Sequence, residues 1–156
     1  MENTKFVKDL IKGKIVETIF KHMFTETGYF TAIPFGYENT IPQLAQFHEL
    51  IKIPKIINNF NRMPDFVLIS EDKKSAYIVE VKYRSKIDKT EILKTVLEST
   101  RNWDPLFLFV ATKDAFYLTA CNNIINKDGD MEYLPHSWIN ETTQKKYLKV
   151  LNEFIH

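Results

Sequence analysis

The chain is predicted to fold as an α/β domain in which helices cover a β-sheet, and three features of the sequence say so. Apolar residues recur at helical spacing near both ends, short apolar runs of strand type lie between them, and one run, Leu106 to Ala111, is apolar on both faces. A strand apolar on both faces must be covered by helices on either side. In order, the predicted elements are helix, strand, strand, strand, helix, strand, strand, helix.

Phe6, Leu10, Val16, Ile19, Phe20 and Met23 define the first helix, from about Thr4 to Phe24 and ending before Gly28. Tyr29 to Phe35 reads as a strand bounded by Pro34 and Gly36. From Ile41 to Asn61 the periodicity weakens: Leu44, Phe47, Leu50 and Ile51 predict a helix after Pro42 that Pro54 ends, so residues 36–62 read as a partly helical insertion. Asp65 to Ser70 and Ala76 to Tyr83 are strands joined by the turn Glu71-Asp72-Lys73-Lys74-Ser75. The helix from Asp88 to about Asn102 opens on a capping box, Asp88-Lys-Thr-Glu91. Pro105 precedes the doubly apolar strand, and Phe116 to Ala120 is expected beside it, reached through a turn at Lys113-Asp114. Asn126-Lys-Asp-Gly-Asp130 is a turn, and Thr142 to Ile155 is an amphipathic helix.

Composition bounds what such a fold can do. With 156 residues, 44% of them hydrophobic and 13% aromatic, the chain can bury one good core, so a single domain over residues 1–156 is expected. The lone Cys121 excludes an intrachain disulfide and any cysteine-based zinc site, which suits a reducing cytoplasm. No apolar stretch reaches membrane-spanning length and Met1-Glu-Asn-Thr-Lys-Phe6 lacks a secretory hydrophobic region, so a cytoplasmic protein without a membrane partner is expected. The 21 basic residues almost balance the 20 acidic ones, for a net charge of +1, so any nucleic-acid surface must arise by segregation of charge. Four glycines leave no phosphate-cradling glycine loop. His22, His48, His136 and His156 lack metal-ligand spacing, and Trp103 and Trp138 read as packing residues.

The chemistry concentrates in two adjacent strands. Side chains alternate along a strand, so Glu80 and Lys82 share one face while Val79 and Val81 share the other. Pro64 suits the first position of a strand, where its missing N–H matters least, and it sets Asp65 at the start of Phe66-Val67-Leu68-Ile69. If the strands pair, Asp65 and Glu80 converge on one cation. The bland alternative is that Glu80 and Lys82 form a charge pair on an exposed sheet face.

With Pro64-Asp65 in one run and Glu80-Val81-Lys82 in the next, the chain resembles the PD-(D/E)XK nucleases, the superfamily of restriction-endonuclease-like enzymes. The likeness covers residues 5–120 apart from the 36–62 insertion, and it lacks the Gln-x-x-x-Tyr element that some relatives carry after the lysine. It implies a restriction-endonuclease-like core, a mixed central sheet flanked by helices, and a divalent-metal-dependent hydrolysis of phosphodiester bonds, DNA being the expected substrate ahead of RNA. Asp65, Glu80 and the backbone carbonyl of Val81 would ligate Mg²⁺ or Mn²⁺, since Mg²⁺ keeps several waters and needs few protein carboxylates. Lys82 would stabilise charge at the scissile phosphate, or accept a proton if its pKa were lowered. The resemblance also implies a glutamate on the upstream helix, and Glu17 in Gly13-Lys-Ile-Val-Glu17 answers to it, although Lys14 and Lys21 stand where an exposed ion-pair face would put them. Arg84, and with it Lys86, would contact neighbouring phosphates. Lys82, Arg84 and some of Lys86, Lys89, Lys94 and Arg101 are expected on one groove rim, away from Glu132, Glu141 and Glu153. Cutting both strands would call for a homodimer. The alternatives are a catalytically silent nuclease-fold subunit that binds nucleic acid or a protein partner, and an interaction module with an accidental motif, in which Asp65 and Glu80 would lie far apart.

Overall fold

The computed structural model describes residues 2–36, 63–101 and 103–155. The helix expected after Pro42, and with it His48, lies outside these residues, as does His156. The described chain is α/β, with a five-stranded mixed sheet flanked by helices: α1 (Glu2–Glu26), β1 (Phe30–Pro34), β2 (Phe66–Ser70), β3 (Ala76–Tyr83), α2 (Lys89–Ser99), β4 (Phe107–Ala111), β5 (Phe116–Ala120), α3 (Cys121–Asn126) and α4 (Glu141–Ile155). Strands lie side by side in chain order, β1-β2-β3-β4-β5. Every neighbouring pair is antiparallel except β3 and β4, which are parallel and joined through α2.

Local chemistry fixes the element ends. Gly28 (φ +74°) ends α1 in the left-handed conformation that glycine adopts without a Cβ penalty. The Asp88 carboxylate accepts the backbone N–H groups of Thr90 (3.0 Å) and Glu91 (3.1 Å), capping α2 as its sequence predicts. In the β2–β3 hairpin, Asp72 accepts from the Ser70 hydroxyl (2.6 Å) and the Lys74 N–H (3.0 Å). α2 ends at Ser99, short of the expected Asn102, and α3 is a short helix that periodicity did not signal. Its six residues are too few to show a helical repeat.

The sheet separates two apolar layers. Under α1 and α4 lie Val16, Phe20, Phe24, Phe66, Leu68, Val79, Val81, Phe109, Phe116 and Leu151; under α2 and α3 lie Ile92, Val96, Leu106, Leu108, Val110 and Ile124. β4 feeds both, Leu108 and Val110 on one side and Phe109 and Ala111 on the other, which is why its sequence is apolar throughout. Phe20 ties the first layer together, its ring centroid 4.5–4.9 Å from those of Phe24, Phe66 and Phe109. α1 begins outside this core: residues 4–11 are all exposed, Phe6 at 67% and Leu10 at 54%. Among the described residues, no helix is long and apolar enough to cross a membrane.

Candidate active site

β2 and β3 part company at Asp65. The antiparallel register runs from Ile69↔Ala76 to Phe66↔Val79, and one step further sets Asp65 opposite Glu80. β3 continues past this point to Tyr83, still bonded to β4 through Lys82↔Val110 and Tyr83↔Ala111, while its other edge has lost its strand partner. The Asp65 carboxylate fills the first gap, its Oδ2 accepting the Val81 backbone N–H at 2.8 Å. Pro64 precedes it and is buried, with no N–H to leave unsatisfied. In a strand the N–H and C=O of one residue turn to the same edge, so the Val81 carbonyl faces the side on which Asp65 sits.

The face assignments follow the alternation. Val79 and Val81 pack into the α1 layer, so Glu80 and Lys82 project to the α2 side, with Leu108 and Val110 as their β4 neighbours. Lys82 Nζ lies 2.7 Å from Glu80 Oε1, and the Glu80 side chain is only 14% exposed. The charge pair that the sequence offered is therefore partly covered, Glu80 more than Lys82, and stands next to a second carboxylate.

Asp65, Val81 and Lys82 open onto a cleft of about 620 Å³ between residues 9–17 of α1 and the end of β3. It is lined by Glu17, Asp65, Val81, Lys82 and Arg84, together with Asp9, Leu10, Lys12, Gly13, Lys14, Tyr83 and Ser85. Three of the expected site side chains from three separate elements thus meet there: Glu17 from α1, Asp65 from the start of β2 and Lys82 from β3. Glu80 does not line the cleft, its carboxylate being paired with Lys82. Glu17 also meets the ion-pair alternative, since Lys14 Nζ is 3.2 Å from its Oε2. Arg84 donates to the Tyr83 carbonyl (2.9 Å) and to Thr95 Oγ1 (3.4 Å).

The rest of the expected basic rim lies elsewhere. Lys86, Lys89, Lys94 and Arg101 do not line the cleft, and Lys89 is paired with Asp130 at 2.7 Å. They are exposed on the chain segment and helix beyond Arg84, and α2 packs on the opposite face of the sheet from α1. Glu132 and Glu141, paired with Lys127 and Lys145, are likewise outside the cleft, as is the exposed Glu153. The sequence did not single out Lys12 and Tyr83 for the cleft.

Electrostatics mark Asp65 as the unusual group. Burial raises its pKa, the Glu80 charge raises it further, the Val81 N–H pulls it down, Glu17 adds to the rise and Lys82 opposes it, leaving it at about 7. Burial alone would lower the Lys82 pKa, but the adjacent Glu80 carboxylate, with Asp65 behind it, outweighs that and holds the lysine above its usual value. Lys82 is therefore an ammonium at neutral pH in this arrangement.

The Asp65 and Glu80 carboxylates and the Val81 carbonyl are oxygen donors of the kind a hard divalent cation takes, with Glu80 engaged by Lys82. Among the described residues no group of three or more His, Cys, Asp or Glu side chains is disposed to hold a metal ion. Mg²⁺ does not need one: it binds through one or two carboxylates and retains water, and Asp65, Glu80 and the Val81 carbonyl supply hard oxygen donors. A cation there would offset the burial and the Glu80 charge that together keep Asp65 protonated to near neutral pH. Comparison with family models, with curated proteins and with solved structures gives no match to the chain.

Proposed function

We propose that this chain is a divalent-metal-dependent nuclease with a restriction-endonuclease-like core, hydrolysing phosphodiester bonds of DNA in the cleft between α1 and β3. The observation that carries the reading is the parting of β2 and β3, where Asp65 stands opposite Glu80 with Lys82 paired beside it and Glu17 facing from α1. Asp65 and Glu80 are cross-strand neighbours, not the distant pair that would favour the interaction-module alternative. The mixed sheet and the order of its elements agree with the same reading.

Asp65, Glu80 and the Val81 carbonyl would hold Mg²⁺ or Mn²⁺, which supplies Lewis-acid polarisation of the phosphate oxygens when bound. The chain's own residues do the remainder. Lys82, kept as an ammonium by Glu80, stabilises negative charge that develops on the phosphate. Glu17 accepts a hydrogen bond from the attacking water and orients it. Arg84 contacts a neighbouring phosphate through the guanidinium N–H groups not used by Tyr83 and Thr95.

One observation favours the silent alternative, a nuclease-fold subunit that binds nucleic acid or a protein partner without cutting it: Lys82 occupies the Glu80 carboxylate that a cation would need. Incubation of supercoiled DNA with the protein and Mg²⁺ or Mn²⁺ separates the two. Cleavage that is lost in folded Asp65→Ala and Glu80→Ala supports the nuclease. Binding without cleavage under every metal condition leaves the silent subunit as the function.

A further inference from the structure

Four cations line the cleft, and they divide into two kinds. Lys82 and Lys14 are neutralised where they stand, by Glu80 at 2.7 Å and Glu17 at 3.2 Å. Lys12 and Arg84 are not joined to any carboxylate of the described residues: the Lys12 ammonium sits 5.7 Å from the centroid of the Tyr83 ring, and the Arg84 guanidinium donates to a carbonyl and a hydroxyl. Both flank Tyr83, and both open onto the same cleft as Asp65. Guanidinium carries five N–H donors, so Arg84 retains capacity for an anion, and a cation–π contact leaves the lysine's own donors in place.

Gly13 stands beside Lys12 in the middle of α1 and lines the cleft. Neither backbone nor packing requires a glycine here. Its φ is not in the left-handed region, and a Cβ built on it meets nothing within 4 Å. Glycine in a helix interior weakens the helix relative to alanine. What its missing side chain provides is open space on the cleft wall beside two cations that have no carboxylate partner among the described residues.

We propose that Lys12 and Arg84 form a phosphate-binding subsite for a DNA phosphate other than the one cut, reached across the side-chain-free surface of Gly13. The proposal rests on the nuclease reading and deepens it, by saying where the DNA backbone crosses α1. Lys82 and Lys14 share their charge with a carboxylate that fixes where each stands, whereas Lys12 and Arg84 have no such carboxylate among the described residues and are placed to meet a second phosphate in a partly enclosed site.

The test measures binding of a short DNA duplex in Ca²⁺ as a function of salt, for the full chain and for the variants Lys12→Ala, Arg84→Ala and Gly13→Leu, each checked for folding by thermal melting. Each alanine variant is expected to weaken binding about tenfold and to reduce the log–log salt slope by about 0.9. Gly13→Leu is expected to melt no lower than the unmodified chain, because leucine is the better helix former, yet to lose at least about tenfold in affinity. If the unmodified chain binds and all three variants match it in affinity and slope, the subsite is wrong and the nuclease reading stands. If the unmodified chain binds no DNA at low salt, both fall. If Gly13→Leu alone binds normally, the path across α1 is refuted.

Discussion

Asp65 ties the chemistry of this protein to its stability. Its carboxyl titrates at about 7 in the folded chain, because burial and the charges of Glu80 and Glu17 oppose ionisation, against about 3.9 for an unfolded aspartate. Between pH 4 and pH 7 the folded state therefore holds a proton that the unfolded state has released. Stability from this group is complete below about pH 4 and is lost as pH rises through 7. Urea unfolding of the metal-free chain should show a loss of about 2 kcal/mol across that window, the open cleft moderating the full effect, and Asp65→Asn should flatten it. Mg²⁺ should restore stability above pH 7 and do nothing at pH 4. Lys82 has the opposite character: paired with Glu80, it is charged throughout the working range. Lys82→Ala should leave cation binding, read by calorimetry, largely intact and raise the single-turnover barrier by about 2–4 kcal/mol. Equal losses in cation affinity and rate would make the lysine a structural residue instead.

At the scale of elements, the site depends on how α2 is anchored and on how α1 is docked. Gly129, in the turn after α3, has φ +97°, and a Cβ there would stand 2.3 Å from the Lys89 carbonyl oxygen at the start of α2. Gly129→Ala is expected to destabilise the fold by about 1–3 kcal/mol from backbone strain alone, with the clash adding to it. The Asp88 cap at the same end is worth about 1 kcal/mol, to be read from Asp88→Ala in chemical denaturation. Gly13→Ala should do the reverse and stabilise α1 by about 0.5–1 kcal/mol, since nothing within 4 Å opposes the new methyl.

For the whole molecule, the core and the cleft are one construction. Phe20 packs against Phe24, Phe66 and Phe109, one helical turn from Glu17, so the aromatic layer that holds α1 on the sheet also aims Glu17 at the cleft. Phe20→Ala should cost about 3–5 kcal/mol in urea unfolding, and at a temperature where the variant remains folded it should lower cleavage more than Glu17→Gln does, because it releases the whole helix. The near-neutral net charge is no obstacle to DNA binding. Acidic residues such as Glu132 and Glu141 are paired away from the cleft, while Lys12 and Arg84 within it are not neutralised by carboxylates of the described residues.

Strands, their alternation and the long helices were legible before folding, because they are local consequences of periodicity, capping and turn chemistry. Glu80 and Lys82 on one face, the doubly covered β4 and the Asp88 cap were all legible in that way. The pairing of the two motif strands across a short turn was expected as well, while the register that sets Asp65 opposite Glu80 came with the fold. What those residues face came from packing between distant elements. The end of β2 short of Asp65, the docking of α1 over the end of β3, the gathering of Lys12, Gly13 and Tyr83 into the cleft and the departure of Lys86 and Lys89 from it depend on long-range packing, to which neither periodicity nor composition is sensitive. The sign of the Lys82 shift was settled there too, because desolvation and a neighbouring charge act in opposite directions and their balance is a matter of distance.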